Sequence, residues 1–150
     1  MKLIFLDVDG VLNHDNSPGW TNGSMWVLDN ECCWEINRIL RDTDARVVLS
    51  STWRTSDTGC DLVKETLVDG RIIGATPIRM GHMMGGWRNR KAEIGWWLTE
   101  NAVRFSIEKM AVIDDDNDAD LGDGSFFQTS FENGGLTKEI ADRIIQHLNN

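Results

Sequence analysis

Apolar residues in this chain follow two rhythms, short unbroken runs and stripes at helical spacing, and each run ends on polar side chains. Leu3, Ile4, Phe5 and Leu6 lead into Asp7, Val8, Asp9 and Gly10. Val47, Val48 and Leu49 lead into Ser50, Ser51, Thr52, Trp53 and Arg54, and Met110, Ala111, Val112 and Ile113 lead into Asp114, Asp115, Asp116, Asn117 and Asp118. Runs this short, without polar alternation, predict strands covered on both faces, as in a parallel sheet flanked by helices. Between them, Cys32, Cys33, Ile36, Ile39 and Leu40 recur at helical spacing behind Asp29, a natural N-cap, which predicts a helix from about 30 to 42. Leu62, Val63 and Leu67 predict a helix near 58–68, followed by a short extended piece at 71–76. Ile94, Trp97 and Leu98 predict another beginning near Arg90, Phe126 and Phe127 a last short strand, and Ile140, Ala141, Ile144, Ile145 and Leu148 a closing helix behind Thr137.

Strands alternating with helices predict an α/β fold, a doubly wound, Rossmann-like parallel sheet with helices on both faces, in one domain spanning 1–150. In such sheets ligands bind beyond the carboxyl ends of the strands, where Asp7 and Asp9 would lie. Residues 13–27 are polar, aperiodic and carry Trp20 and Trp26, the pattern of a loop or small hairpin overhanging that point.

The chain's net charge of -9 argues against a general surface for polyanions, so no strong nonspecific nucleic-acid binding is expected. Against that background, residues 79–91 carry Arg79, Arg88, Arg90 and Lys91 with no acid. Any phosphate-bearing ligand would need such a local cluster or a metal. No apolar stretch approaches 18 residues and no leader pattern is visible, so a soluble, cytoplasmic protein without membrane contact is expected. Cys32, Cys33 and Cys60 lack paired metal-ligand spacing and read as reduced, mostly buried thiols. The chain has seven Trp and no Tyr, and those on loops could stack on a ligand. His14 reads as a solvated loop residue, His82 as a polar contact in the basic loop and His147 as surface.

Two carboxylates about 5 Å apart repel by about 3 kcal/mol at an effective dielectric of 20, which calls for a nearby cation. Mg2+ prefers oxygen ligands and is usually held by one or two carboxylates plus a substrate phosphate, and Gly10 would let the backbone turn tightly around it.

Taken in order, DVDGV, VVLSSTWR, RKAEIGWWL and AVIDDDND reproduce the four motifs of the haloacid dehalogenase (HAD) superfamily of phosphohydrolases, which the chain resembles over nearly its whole length. LSSTWR, EIGWWL, IDDDND and FFQTSFENGGLT look most like a small subgroup of uncapped HAD domains found in or near RNA-repair proteins. The resemblance implies Mg2+ as cofactor, with Asp7 as the nucleophile that forms an aspartyl-phosphate and Asp9 as general acid and then base. It implies a metal held by Asp7, the backbone carbonyl of Asp9 and Asp115, with Asp114 in support and Asp118 orienting a metal-bound water. Ser51, with Ser50 still open, would hydrogen-bond a phosphate oxygen, and either Lys91 or Arg90 would supply the third-motif cation. Gly10, Thr52, Trp53, Arg54 and Arg88 complete the expected substrate-binding set, Trp53 as pocket wall or core residue and Arg54 as a phosphate contact.

Caps in that superfamily are inserted after the first motif or after the third strand, and here neither stretch is long enough to fold as one. An uncapped site admits bulky substrates. The expected activity is therefore Mg-dependent hydrolysis of phosphate monoesters, on nucleic-acid ends or nucleotides, with phosphoproteins or small phosphate esters as alternatives and a catalytically silent binding module as the third reading. Trp20, Trp26 and Trp87 would be the residues to stack on a base.

Overall fold

The apolar runs become β1 (Lys2–Leu6), β2 (Arg46–Leu49), β3 (Ile72–Ala75), β4 (Lys109–Asp114) and β5 (Phe126–Gln128) in a computed structural model that describes residues 1–20, 23–68, 70–78 and 89–150. The strands form one parallel sheet in the order β3-β2-β1-β4-β5. Winding proceeds outward from β1 to β3, then returns to the other side of β1 for β4 and β5. The carboxyl ends of β1 and β4 therefore flank the switch point, where such sheets leave a crevice.

Four helices connect the strands: α1 (Asn30–Thr43), α2 (Asp57–Thr66), α3 (Arg90–Phe105) and α4 (Lys138–Asn149). Each N-cap side chain accepts from backbone N–H groups of the first turn: Asp29 for α1, Ser56 for α2, Asn89 for α3 and Thr137 for α4. The two faces of each strand feed different cores, which explains why the runs lack polar alternation. Ile4, Leu6, Val47, Leu49, Ala111 and Ile113 pack with α1, α2 and α4, whereas Leu3, Phe5, Val48 and Val112 pack under Ile94 and Trp97 of α3. Phe5 meets Trp97 edge-on at 5.5 Å, and Trp97 stacks on Phe105 at 5.8 Å.

The expected elements are present, with boundaries shifted by a few residues. Residues 13–29 contain no strand among those described, and the connection is a loop. The loop is pinned by Asp29 N–H to the Leu12 carbonyl (2.8 Å) and by the Asn13 side-chain amide to the Val27 carbonyl (2.9 Å). His147, expected at the surface, instead lies 2.9 Å from the Met110 carbonyl through Nε2 and edge-on to Phe127. Among the described residues no helix is long and apolar enough to cross a membrane.

The turn before α4 closes back onto the loop that follows β1. Leu136 N–H donates to the Val11 carbonyl (2.9 Å), and Gly135 sits at φ +62° with no room for a side chain. A Cβ there would lie 2.8 Å from the Val11 carbonyl oxygen and 3.1 Å from both the Asn13 carbonyl and Cys32 Sγ. Gly122, at φ +78°, faces open space. Gly135→Ala should therefore cost about 2–4 kcal/mol in urea denaturation, the backbone penalty plus a steric one, and Gly122→Ala only about 1 kcal/mol.

Candidate active site

Asp7 leaves β1 still inside the sheet, its N–H donating to the Ile113 carbonyl of β4 (3.0 Å), and is buried. The chain then turns, with the N–H groups of Val11 and Leu12 both donating to the Val8 carbonyl. Gly10 adopts φ +78°, and a Cβ there would collide with the Asp115 carboxylate. The loops after β1 and β4 are thus in direct contact, and only glycine fits. Thr129 Oγ1, just past β5, donates to the Gly10 carbonyl at 2.7 Å and fixes the turn from the other side.

Asp9 is exposed, yet both its carboxylate oxygens are held. The amide of fully buried Asn13 donates to Oδ1 (2.9 Å) while its own Oδ1 accepts from Gly10 N–H (2.9 Å). Trp53 donates its indole N–H to Asp9 Oδ2 at 3.1 Å. Of the two readings open for Trp53, pocket wall or core residue, its burial matches the core residue. The ring is buried and edge-on to Trp26 at 4.9 Å, which fixes the direction of the N–H that meets Asp9. Trp26 also packs against Gly59, where a Cβ would come within 2.7 Å of its ring, and so faces inward rather than toward a ligand. Trp20 donates its indole N–H to the His14 carbonyl (2.7 Å) and meets Phe131 edge-on.

Asp7, Asp114 and Asp115 each offer a carboxylate oxygen within 4.8 Å of the others. Burial first, and then the charge of Asp7, push the Asp114 carboxyl up to about 8 and raise Asp115 as well. Asp7 is raised chiefly by burial, against the opposing pull of Arg90. Arg90 Nη2 lies 3.4 Å from Asp7 Oδ1. Burial alone would lower the Arg90 pKa, but Asp7 foremost, with Asp114, Glu93 and Asp118, carries it above the ordinary value. Of the two cations left open by the sequence, Arg90 is the one that reaches Asp7, whereas Lys91 is exposed.

The acidic cluster suits a hard divalent cation. All three donors are carboxylate oxygens, and Asp114 Oδ2 is buried without a hydrogen-bond partner while Oδ1 accepts from Asp116 N–H. Asp118 Oδ1 and Arg90 Nη1 are likewise buried and unpartnered, so polar capacity is concentrated around this point. Mg2+ matches such a donor set.

On the β2 side, the Ser51 hydroxyl works against burial to lower the Asp7 pKa, and its Oγ accepts from Trp53 N–H (3.2 Å). Ser50 is buried with its hydroxyl unpartnered, as is the hydroxyl of Thr76. Thr52 opens the 3-10 turn Thr52–Thr55 and is half-buried. Arg54 requires a correction. Its side chain is 2% exposed and its guanidinium donates to the carbonyls of Thr76, Ser50 and Ser51 and pairs with Glu93 Oε2 at 2.7 Å. It braces the second motif against α3 rather than offering a free grip on phosphate. Arg88 lies outside the described residues, as do Arg79, His82 and Trp87.

Three supporting residues have roles that no pattern in the sequence marks: Asn13, Thr129 and Glu93. Asn13 directly follows DVDGVL, and its nearness to Asp9 is the one local signal.

The model of a family described as the HAD domain in Swiss Army Knife RNA repair proteins matches residues 3–141. The chain belongs to this family. No curated protein and no solved structure matches it. As a HAD domain it falls within a superfamily of hydrolases and phosphatases, and its parallel sheet, with no cap domain among the described residues, is the HAD-like form of the Rossmann fold.

Crowding of carboxylates in this HAD domain has a measurable consequence. Because Asp114 titrates higher in the folded protein than in the unfolded chain, the folded state holds an extra proton between about pH 4 and 8. Its contribution to stability is whole below about pH 4 and is lost as the pH rises toward 8. In chelator, Asp114→Asn should therefore raise Tm over the parent by about 2–8 °C more at pH 8 than at pH 5, for about 1–2 kcal/mol of repulsion relieved. Thermal denaturation at the two pH values measures this.

Proposed function

We propose that this HAD domain is a Mg2+-dependent phosphatase that hydrolyses phosphate monoesters on nucleic-acid ends or nucleotides through an aspartyl-phosphate. The observation that carries the reading is the arrangement around Asp7: a buried carboxylate facing Arg90 on one side and the Asp114–Asp115 pair on the other, with Asp9 clamped two residues away.

Asp7 attacks phosphorus, forming the acyl-phosphate bond as the ester P–O bond breaks. Asp9 gives its proton to the departing oxygen, then takes one from the water that attacks the phosphorus of the intermediate, releasing inorganic phosphate and restoring Asp7. Arg90 and the Ser51 hydroxyl bind phosphate oxygens and offset their charge. A Mg2+ ion held by Asp7, Asp114, Asp115 and the Asp9 carbonyl would supply the remaining neutralisation. Asn13 and Trp53 limit Asp9 to orientations that point its carboxyl at the reacting oxygens.

Support for nucleic-acid ends or nucleotides comes from the RNA-repair setting of the family and from the lack of a cap domain among the described residues. A cavity of about 500 Å3 beside Asp115, lined by Gln128, Thr129, Phe131 and Asn133 among others, gives a leaving nucleoside room. The net negative charge fits a substrate gripped at its terminal phosphate more than along its backbone.

Asp7→Asn should abolish hydrolysis, and Asp9→Asn should lower kcat by about 100 to 10,000-fold with metal dependence retained. Fluoroberyllate, which mimics the aspartyl-phosphate, should inhibit. Steady-state assays with and without chelator, on 3'- and 5'-phosphorylated oligonucleotides, mononucleotides and an aryl phosphate, test the whole reading; full activity of Asp7→Asn would end it. An aryl phosphate turned over with a higher kcat/KM than every nucleotide substrate would end the substrate assignment alone.

Trp53→Phe keeps a large ring but removes the donor to Asp9. It should lower kcat by about 10 to 100-fold with KM nearly unchanged, the loss expected for one hydrogen bond to a charged group. An equal loss of kcat for Trp26→Phe, which touches no catalytic carboxylate, would instead indicate a packing effect.

A further inference from the structure

A second convergence of donor side chains lies behind the loop that carries Asn13, and the phosphoryl chemistry uses none of it. His14, expected to be solvated, is half-buried, with Nε2 3.2 Å from Asp29 Oδ2. Asp29 caps α1 through its other oxygen, which accepts from Glu31 N–H (2.9 Å) and Cys32 N–H (3.2 Å). Cys32 is buried in the first turn of α1 with its thiol 3.4 Å from the Gly134 carbonyl. One donor atom from each of the three residues lies within 4.8 Å of the others. All three line one cavity of about 550 Å3, which gives an ion a route in and leaves room for water.

We propose that His14, Asp29 and Cys32 form a second metal site, distinct from the acidic cluster, that takes a borderline-soft divalent ion of the Zn2+ type with water as fourth ligand. The donor set decides the class. A nitrogen, an oxygen and a sulfur donor together suit Zn2+, which has no geometric preference of its own, whereas Mg2+ and Ca2+ avoid nitrogen and sulfur. Tetrahedral Zn2+ with bonds of about 2.0–2.3 Å places its ligand atoms roughly 3.3–3.7 Å apart, so the His14–Asp29 pair is already at the right spacing and the thiol needs a shift of about 1 Å at most.

The outer partners fit as well. To ligate through Nε2, the His14 ring must carry its proton on Nδ1, and Asp15 Oδ1 lies 3.8 Å from that atom. A carboxylate behind a ligating histidine is the usual arrangement at such centres, and it replaces the weak bond that Nδ1 now accepts from Asn16 N–H at 3.3 Å. The Cys32 thiol gives up its proton to solvent on binding, so one proton is released per ion. The consequence for the fold is a clamp. The ion would tie the 13–29 loop to the first turn of α1, next to the Asn13 amide that orients Asp9.

The test uses the full chain, stripped with chelator and then given excess Mg2+ to fill the acidic cluster. Added Co2+ should bind at one equivalent with a thiolate-to-metal charge-transfer band, and Zn2+ should displace it. Cys32→Ser and His14→Gln should abolish the band and weaken Zn2+ binding by more than about 100-fold, whereas Cys33→Ser and Asp114→Asn should keep both. A Co2+ complex of the parent protein without a thiolate band overturns the proposal, as does a band that survives Cys32→Ser. If Cys32→Ser fails to fold, the spectrum of the parent and the response of His14→Gln decide.

Discussion

The structure depends on how closely Asp7, Asp114 and Asp115 are brought together by the pairing of β1 with β4. Each pair at the 4.8 Å limit, if ionised, repels by about 3 kcal/mol at an effective dielectric of 20, so three pairs together approach the whole stability of a domain this size. The bare cluster must therefore hold protons or meet a cation, and the raised carboxyl of Asp114 is the first of these responses. Arg90, at the start of α3, is the built-in part of the second. The two buried oxygens of Asp114 and Asp118 that have no partner show that capacity for positive charge is left over.

Around that charge the protein spends its buried polar side chains on holding loops still. Asn13 and Trp53 take one oxygen each of Asp9, which is otherwise exposed, and turn a freely rotating carboxylate into an oriented one. Arg54 gathers the carbonyls of Ser50, Ser51 and Thr76 and closes onto Glu93 of α3, so the tip of β2 is tied to the helix that carries Arg90. Removing Arg54 would take from the buried Glu93 carboxylate its ion-pair partner, which costs far more than the pair is worth. Such bracing matters because a group misplaced by about 1 Å can cost 100-fold in rate.

The loop after β1 is held from three directions: by Asp115 packed on Gly10, by Thr129 on the Gly10 carbonyl, and by the Gly135 turn under Val11 and Asn13. Those contacts come from segments more than a hundred residues away in the chain. They make the geometry of Asp7 and Asp9 a property of the whole sheet rather than of one motif.

Local pattern was enough for much of this. Apolar runs that end in acids or hydroxyls located β1, β2 and β4, helical stripes with Asp29 and Thr137 as caps located α1 and α4, and the four motifs in order led to the family. The residue types at the strand tips also pointed to the acidic cluster, because strand ends on one edge of a parallel sheet must converge. What tertiary structure alone decided were the partners. Arg90 rather than Lys91 meets Asp7 because the helical turn directs adjacent residues about 100° apart. Arg54 and Trp53 became supports because Glu93 and Asp9, distant in sequence, occupy their hydrogen-bonding atoms. His14, Asp29 and Cys32 came together because the 13–29 loop folds back over the start of α1. Periodicity records which face of an element is buried, but which side chain it meets there is set by contacts between segments that the local sequence does not encode.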